Sequence, residues 1–388
     1  MAVLTSFEFA TATRIIFGVG ALREVAPLAG QLGDRALVVT GRTPERAEPL
    51  LKLLAAQNMV SVVFSIAGEP TLDEVRRGVA LARQEHCDVV VGFGGGSAVD
   101  AGKAIAALLT NGGDLLNYLE IIGQGRPLTN AGAPFIAVPT TAGAGAEVTR
   151  NAVLVSAEHR VKASLRSPLL LARVAVVDPE LTRDLPPAST ASTGLDALTQ
   201  MIEPFVSTKA NPVTDGFCRE GMIRAARSLR RAWENGGDLA ARTDMALASL
   251  FGGLALANAG LGAVHGLAAP LGGMFPAPHG AVCAALLPQV MEVNVRALRA
   301  RLPGDEPLRR YDEVARMLTG KREATAKDGV NWVRELVAMV QIPPLRHYGV
   351  TEDDFSTLAE KGAQASSMRS NPVALNEEEL REILAGSL

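Results

Sequence analysis

From Arg35 to Pro179, short β-branched runs alternate with stretches of helical length, and few folds accept that rhythm. RALVVTG (35–41), VSVVFSI (60–66), CDVVVGFGGG (87–96), PFIAVPTT (134–141) and ARVAVVDP (172–179) read as strands. PERAEPLLKLLAAQ and TLDEVRRGVALARQEH lie between them and read as helices. Strands joined by crossover helices build a parallel sheet covered on both faces, so this half predicts an α/β, Rossmann-like domain. The preceding FEFATATRIIFGVGAL reads as a strand pair or arm. At RDLPPASTAS (183–192) two prolines stop the β rhythm and Ser and Thr supply helix N-caps. Long amphipathic or apolar helices follow to Leu388. The expected organisation is an α/β dinucleotide-binding domain over 1–186 and an all-helical domain over 187–388.

A chain of 388 residues is long enough to bury two cores, and 48% hydrophobic with 20% charged residues fits a globular protein. A net charge of -3 gives no basic footprint for nucleic acid or an anionic membrane, and 4% aromatic residues leave little for base stacking. The expected partner is a small molecule, with neither nucleic acid nor membrane. MAVLTSFEFATATRIIFGVG lacks the basic and apolar regions of a signal peptide, and no window holds some 18 uninterrupted apolar residues. Cys87, Cys218 and Cys283 lack C-x-x-C spacing and read as small buried hydrophobes in a reducing compartment, expected to be the cytoplasm.

In CDVVVGFGGGSAVDAGKAIAALL, a buried strand runs into Gly94, Gly95 and Gly96, and a helix opens at Ser97. Glycines let backbone N–H groups approach an anion, and the helix N-terminus adds partial positive charge. Asp100 stands at capping-box spacing from Ser97, and Lys103 can reach either the anion or Asp100. An ordinary tight turn would use similar residues, and Ser97 departs from G-x-G-x-x-G. A second loop, VPTTAGAGAEVTRNAV, offers Thr140 and Thr141 just after a strand, where the carboxyl edge of a parallel sheet binds dinucleotides. After the first strand, Gly41 and Arg42 occupy the place where NAD-preferring domains present a carboxylate, which favours NADP.

STGLDALTQMIEP sets a carboxylate, Asp196, in an apolar helical pattern, with Gln200 one turn on. A buried carboxylate needs a compensating cation or hydrogen bonds. Of the five histidines, His86, His159 and His347 sit in polar sequence and read as surface residues. His265 and His279 lie in apolar, Gly-rich sequence. One buried histidine is commonly structural; two with a buried Asp form a usual shell for a divalent cation. Gln200 shares the face of Asp196 and can turn its carbonyl oxygen to the same ion or to a bound water.

GGGSAVDAGKAIA, PTTAGAGAEVT, GLDALTQMIEPFVS and above all NAGLGAVHGLAAPLGGMFPAPHGAVCAALLPQVMEVN closely resemble the iron-containing (group III) alcohol dehydrogenases, over essentially the whole chain. The resemblance implies the dehydroquinate synthase-like fold and two domains with a cleft between them, where NAD(P) exchanges hydride with a small alcohol or its aldehyde or ketone. It also implies a soluble dimer or higher homo-oligomer. Carried over by position, Gly94, Gly95, Gly96 and Ser97 hold the pyrophosphate and Asp100 orders that turn. Thr140, Thr141 and Lys162 contact the cofactor and Asn151 lies near the nicotinamide. Asp196, His265 and His279 bind the metal, Fe²⁺ or Zn²⁺, with Gln200 as a weak fourth ligand. Two positions depart from the family: Gln200 and Ala269 both stand where histidine is usual. Alternatives within this resemblance are a metal-independent reductase like the maleylacetate reductases, a lyase like the dehydroquinate synthases, and a non-catalytic nucleotide-binding homologue.

Overall fold

The computed structural model describes residues 6–159 and 161–388. They pack as two compact units: 11–186 with 235–246, and the described residues up to Ala10 with 187–234 and 247–388. Against a linear division after residue 186, the first described residues count with the helices and 235–246 counts with the sheet.

The first unit holds strands β1 (Ile15–Phe17), β2 (Arg35–Thr40), β3 (Val60–Ser65), β4 (Val89–Gly94), β5 (Phe135–Pro139), β6 (Asn151–Ser156), β7 (Val161–Arg166) and β8 (Val174–Val177). Its longer helices are α1 (Val25–Gly30), α2 (Glu48–Ala56), α3 (Leu72–Gln84) and α4 (Gly96–Thr110). Six strands form a sheet in the order β1-β8-β5-β4-β2-β3, every neighbouring pair parallel. The five runs expected as strands are all in it. Val38, Val89, Val91, Ile136 and Val138 pack with Leu50 and Leu54 of α2 in one core, because β-branched residues suit a sheet buried on both faces.

The expected N-terminal strand pair is corrected. Only Ile15–Phe17 is a strand, and it adds parallel to β8 at the sheet edge. Gly20, at φ 76°, turns the chain directly into a short 3₁₀ helix, so no second strand follows. An antiparallel hairpin, β6 with β7, was not among the expected strands.

From β2 the chain moves outward to β3, then returns to the other side of β2 and continues through β4, β5 and β8. The β2/β4 boundary is therefore a topological switch point, where the ends of parallel strands splay into a crevice.

A buried ion pair fixes α4 to β6. Lys103 Nζ donates to Asp100 Oδ1 (3.3 Å), Thr149 Oγ1 (2.8 Å) and the Asn151 carbonyl (2.9 Å), which uses all three ammonium donors. Asp100 Oδ2 accepts from the Val153 N–H at 3.0 Å. Glu147, 2% exposed in the turn before β6, has its carboxyl pushed up to about 7, chiefly by burial, with its own backbone N–H and Lys103 pulling the other way.

The second unit contains α5 (Pro187–Val206), α6 (Pro212–Glu234), α7 (Leu239–Ala259) from residue 247 on, α8 (Ala263–Met274), α9 (His279–Arg301), α10 (Glu306–Thr319), α11 (Ala326–Met339), α12 (Phe355–Gln364) and α13 (Glu377–Gly386). The helices α7 and α9 are long and apolar enough to cross a membrane, but 67% and 78% of those windows are buried inside the protein. Burial of that extent is what core helices show.

Two outcomes test the α4–β6 junction. Lys103→Met leaves Asp100 buried without its cation and should lower stability by about 3–5 kcal/mol, seen as a lower urea midpoint. Adding Asp100→Asn should recover part of that loss. Glu147 is raised from 4.5 to about 7 on folding, so its protonation favours the folded state. Its contribution is full below pH 4.5 and is lost as pH rises through about 7. Glu147→Gln should flatten that fall in thermal midpoint.

Candidate functional site

Helix α5 carries Leu195, Ala197, Leu198, Met201, Ile202 and Phe205, each no more than 1% exposed. Asp196, Gln200 and Glu203 follow at spacings of four and three, which stacks them on one face of the same buried helix. Neither carboxylate reaches water: Asp196 is 3% and Glu203 5% exposed.

Protein donors satisfy Glu203. Its Oε1 accepts the Val264 N–H at 2.7 Å, in the first turn of α8, and its Oε2 lies 2.6 Å from His265 Nδ1. A negative group there suits the positive end of α8, whose N-cap, Gly262, supplies no side chain. With Nδ1–H donated to Glu203, the neutral His265 ring turns the lone pair of Nε2 inward.

Asp196 is not satisfied in this way. Its Oδ1 and the Gln200 Oε1 are buried without hydrogen-bond partners. Facing Oδ1 are His265 Nε2 at 3.4 Å and His279 Nε2 at 4.0 Å. Helix α9 delivers His279 in its first turn and lies close to α5: a Cβ on Gly280 would sit 2.6 Å from the Ser192 carbonyl oxygen. One turn further, Cys283 Sγ lies 3.6 Å from His279 Nε2 and 3.8 Å from His265 Nε2.

Ligand atoms of Asp196, His265, His279 and Cys283 all lie within 4.8 Å of one another. Lone pairs converging on one point in an apolar interior call for a positive charge. This donor set of carboxylate, imidazoles and thiol fits a divalent transition-metal ion. Without the ion, protons take its part. Burial opposes the charge on His265, yet Cys283, Glu203 and Asp196 raise that imidazole well above its usual range. Burial pushes Asp196 up, and the neighbouring imidazoles bring its carboxyl below the ordinary value. His279 is the exposed flank, its side chain 38% accessible. Ala269, where the family resemblance leads one to expect histidine, is an exposed residue one turn after His265.

In the α/β unit, a cavity of about 140 Å³ opens at the switch point. It is lined by Thr40 at the end of β2 with Gly41, Arg42, Thr43 and Arg46 after it, Phe93, Gly94 and Gly95 at β4, and Thr140 and Thr141 after β5. Of the residues expected at the cofactor, Gly41, Gly94, Gly95, Thr140 and Thr141 meet here. The others lie outside this lining: Gly96 and Ser97 open α4, Asn151 begins β6, and Lys162 on β7 places Nζ 2.6 Å from Glu69 Oε1.

The expected capping box is corrected. Gly95 is the N-cap of α4 and has no side chain to cap with, and Asp100, beyond the first turn, is committed to Lys103 and Val153. An uncapped N-terminus beside a crevice is the arrangement that receives phosphate. Arg42 is held by its Nε–H to the Ala67 carbonyl (2.9 Å) and Arg46 by a bond to the Leu181 carbonyl (3.0 Å). His86, His159 and His347 are exposed, as expected, and the three cysteines are buried and free.

Sequence reasoning missed Glu203, Cys283 and Arg46. Glu203 follows Asp196 by seven residues in an apolar helix, and Cys283 follows His279 by four, so helical spacing was the signal available for both.

Both halves of the chain match known proteins. The family described as iron-containing alcohol dehydrogenase matches residues 12–179, and its C-terminal family matches residues 190–388. The chain is 34% identical to a choline dehydrogenase of Bacillus subtilis, covering 95% of this chain and 92% of that one. It is 36% identical to a 1,3-propanediol dehydrogenase of Citrobacter freundii, covering 97% of each. The solved structure of an alcohol dehydrogenase from Oenococcus oeni superposes with a TM-score of 0.91 at 33% identity, covering 99% of this chain and all of that one. With both halves matched in order and the same fold in a solved relative, the chain belongs to the iron-containing alcohol dehydrogenase family and is an NAD(P)-dependent, metal-assisted oxidoreductase that interconverts an alcohol and its carbonyl compound.

Proposed function

We propose that this chain reduces a small aldehyde or ketone, or oxidises the corresponding alcohol, with NADP(H) as its preferred cofactor. Asp196, His265 and His279 hold the divalent ion, Fe²⁺ or Zn²⁺. The observation that carries the metal assignment is the orphaned Asp196 Oδ1, buried among imidazole nitrogens. When bound, the ion supplies a Lewis acid for the substrate oxygen and the nicotinamide supplies or accepts the hydride.

The chain's own residues set up that chemistry. Glu203 holds the Nδ1 proton of His265, fixing the tautomer and ring orientation, as carboxylate partners of metal-binding histidines do. Phe251, Leu256 and Phe275 are partly buried apolar residues of the helical unit and favour a small, moderately apolar substrate. Relatives named for choline and 1,3-propanediol are in keeping with a small hydroxy compound. Ala269 offers no titratable group, so water or, with the cofactor bound, a ribose hydroxyl would relay the proton. Gly94, Gly95, Thr140 and Thr141 cradle the dinucleotide, with Gly96, Ser97, Asn151 and Lys162 assigned to it by family position. Asp100 acts at a distance, by holding α4 to β6.

The preference for NADP rests on charge. The crevice lining contains two guanidinium groups, Arg42 and Arg46, and no carboxylate. A 2′-phosphate gains charge-assisted hydrogen bonds there, and no like charge repels it. We further propose a cytoplasmic homodimer or higher homo-oligomer. The metal-independent reductase and the non-catalytic homologue are not favoured, because the relatives are alcohol and propanediol dehydrogenases and the Asp196 cluster is intact.

Two experiments test this reading. Protein purified without chelator should contain about one divalent ion per chain. Its NAD(P)H oxidation with a panel of small aldehydes should vanish on stripping and return with Fe²⁺ or Zn²⁺. Asp196→Asn should bind substoichiometric metal, while turnover by protein shown to be metal-free would overturn the assignment. For the cofactor, Arg42→Asp should lower kcat/KM for NADPH by about 10–100-fold relative to NADH, the equivalent of one lost charge-assisted contact. An unchanged ratio would remove Arg42 from cofactor selection.

A further inference from the structure

We infer that Cys283 is a fourth protein ligand of the divalent ion, so that in this chain a thiolate fills the place that Gln200 fills poorly, and the shell selects zinc over ferrous iron. The inference rests on the metal reading above and adds to it a ligand and a metal preference.

Geometry carries it. In a tetrahedral site with metal–ligand bonds of 2.0–2.3 Å, neighbouring ligand atoms stand about 3.3–3.8 Å apart. Cys283 Sγ lies 3.6 Å from His279 Nε2 and 3.8 Å from His265 Nε2, and His265 Nε2 lies 3.4 Å from Asp196 Oδ1. The His279–Asp196 edge, at 4.0 Å, is slightly longer. Three of these four edges already have the length an ion would impose, Cys283 belongs to two of them, and the other two of the six pairs lie within 4.8 Å. A thiol has a single proton, so Cys283 can donate to only one of the two imidazoles, and the other contact needs an imidazole N–H turned toward the sulfur.

A second observation is independent of the cysteine. Asp196 Oδ1, on a residue 3% exposed, has no hydrogen-bond partner and faces the same point. The other two cysteines are not in the cluster.

Ligand chemistry gives the metal preference. Gln200 offers a neutral amide oxygen, a weak donor, whereas thiolate is a soft, charged donor that zinc binds strongly and that shifts selectivity away from harder ions. Zinc also accepts a fifth ligand, and the half-exposed His279 side is where the cluster is open.

The test uses the full chain, stripped of metal and titrated with Co²⁺ under a thiol-free reductant. Visible ligand-field bands report that cobalt is bound, and a near-ultraviolet sulfur-to-cobalt charge-transfer band reports a thiolate ligand. The wild type should show both. Cys283→Ser should keep the visible bands and lose the charge-transfer band, while Cys87→Ser and Cys218→Ser keep both. Competition should show zinc affinity falling more than about tenfold in Cys283→Ser, since even hydrogen-bond partners of metal ligands cost that much. Affinity for Fe²⁺ should fall less. Wild-type protein with visible bands and no charge-transfer band would overturn the thiolate ligand and leave the metal reading intact. A charge-transfer band that persists in Cys283→Ser would overturn it as well. Wild-type protein that binds no cobalt, zinc or iron would sink both.

Discussion

Two carboxylates seven residues apart on one buried helix are the constraint around which the helical unit is organised. An isolated carboxylate in an apolar interior costs several kcal/mol at least, so each must find compensation within reach of α5. The chain solves the two cases differently. Glu203 receives donors from the protein itself, the Val264 N–H and His265 Nδ1. Asp196 Oδ1 has no hydrogen-bond partner and faces the Nε2 atoms of His265 and His279, so its compensation is either a proton on those imidazoles or, in the reading proposed above, a bound ion.

The first solution prepares the second. By capping α8 and gripping His265 with one carboxylate, Glu203 fixes both the start of that helix and the direction of the ring it carries. The close approach permitted by Gly280 then brings α9, with His279 and Cys283, against α5. The cluster is thus a product of helix ends: α8 and α9 each deliver a histidine within their first turns. The same economy operates in the α/β unit, where backbone groups at strand and helix ends face the crevice and a buried Lys103–Asp100 pair holds the following hairpin. In both units, rigid hydrogen-bonded elements carry the chemistry at their termini.

What the sequence disclosed follows from contrast. Asp196, His265 and His279 stood out because polar side chains interrupt apolar stretches, and strands β2, β3, β4, β5 and β8 because β-branched runs are hard to read otherwise. Cys283 gave no such contrast, since a cysteine among Ala, Val and Leu looks like any small hydrophobe. Glu203 stands just before Pro204, where a helix is expected to end and a carboxylate to be solvated; the helix in fact runs on to Val206. The β6–β7 hairpin was hidden because its alternation is short and its residues are partly exposed. Asp100 was misread for a related reason. Its spacing from Ser97 fits a cap, but the choice among partners is tertiary, and Lys103 and Val153 took it.

The identity of the fourth donor also decides the net charge that α5 must bury. A divalent ion with Asp196, two neutral imidazoles and the Gln200 amide carries one positive charge; with the Cys283 thiolate instead, the shell is neutral. A neutral shell costs less to hold among Leu195, Leu198 and Ile202, which are at most 1% exposed. A positive shell would polarise a substrate oxygen harder, at greater cost in desolvation. The substitution of glutamine for the usual histidine therefore does more than weaken one bond. With an amide at position 200, the anionic donor beside Asp196 within reach of both histidines is Cys283, and ligand choice, metal choice and the electrostatics of the buried helix become one problem.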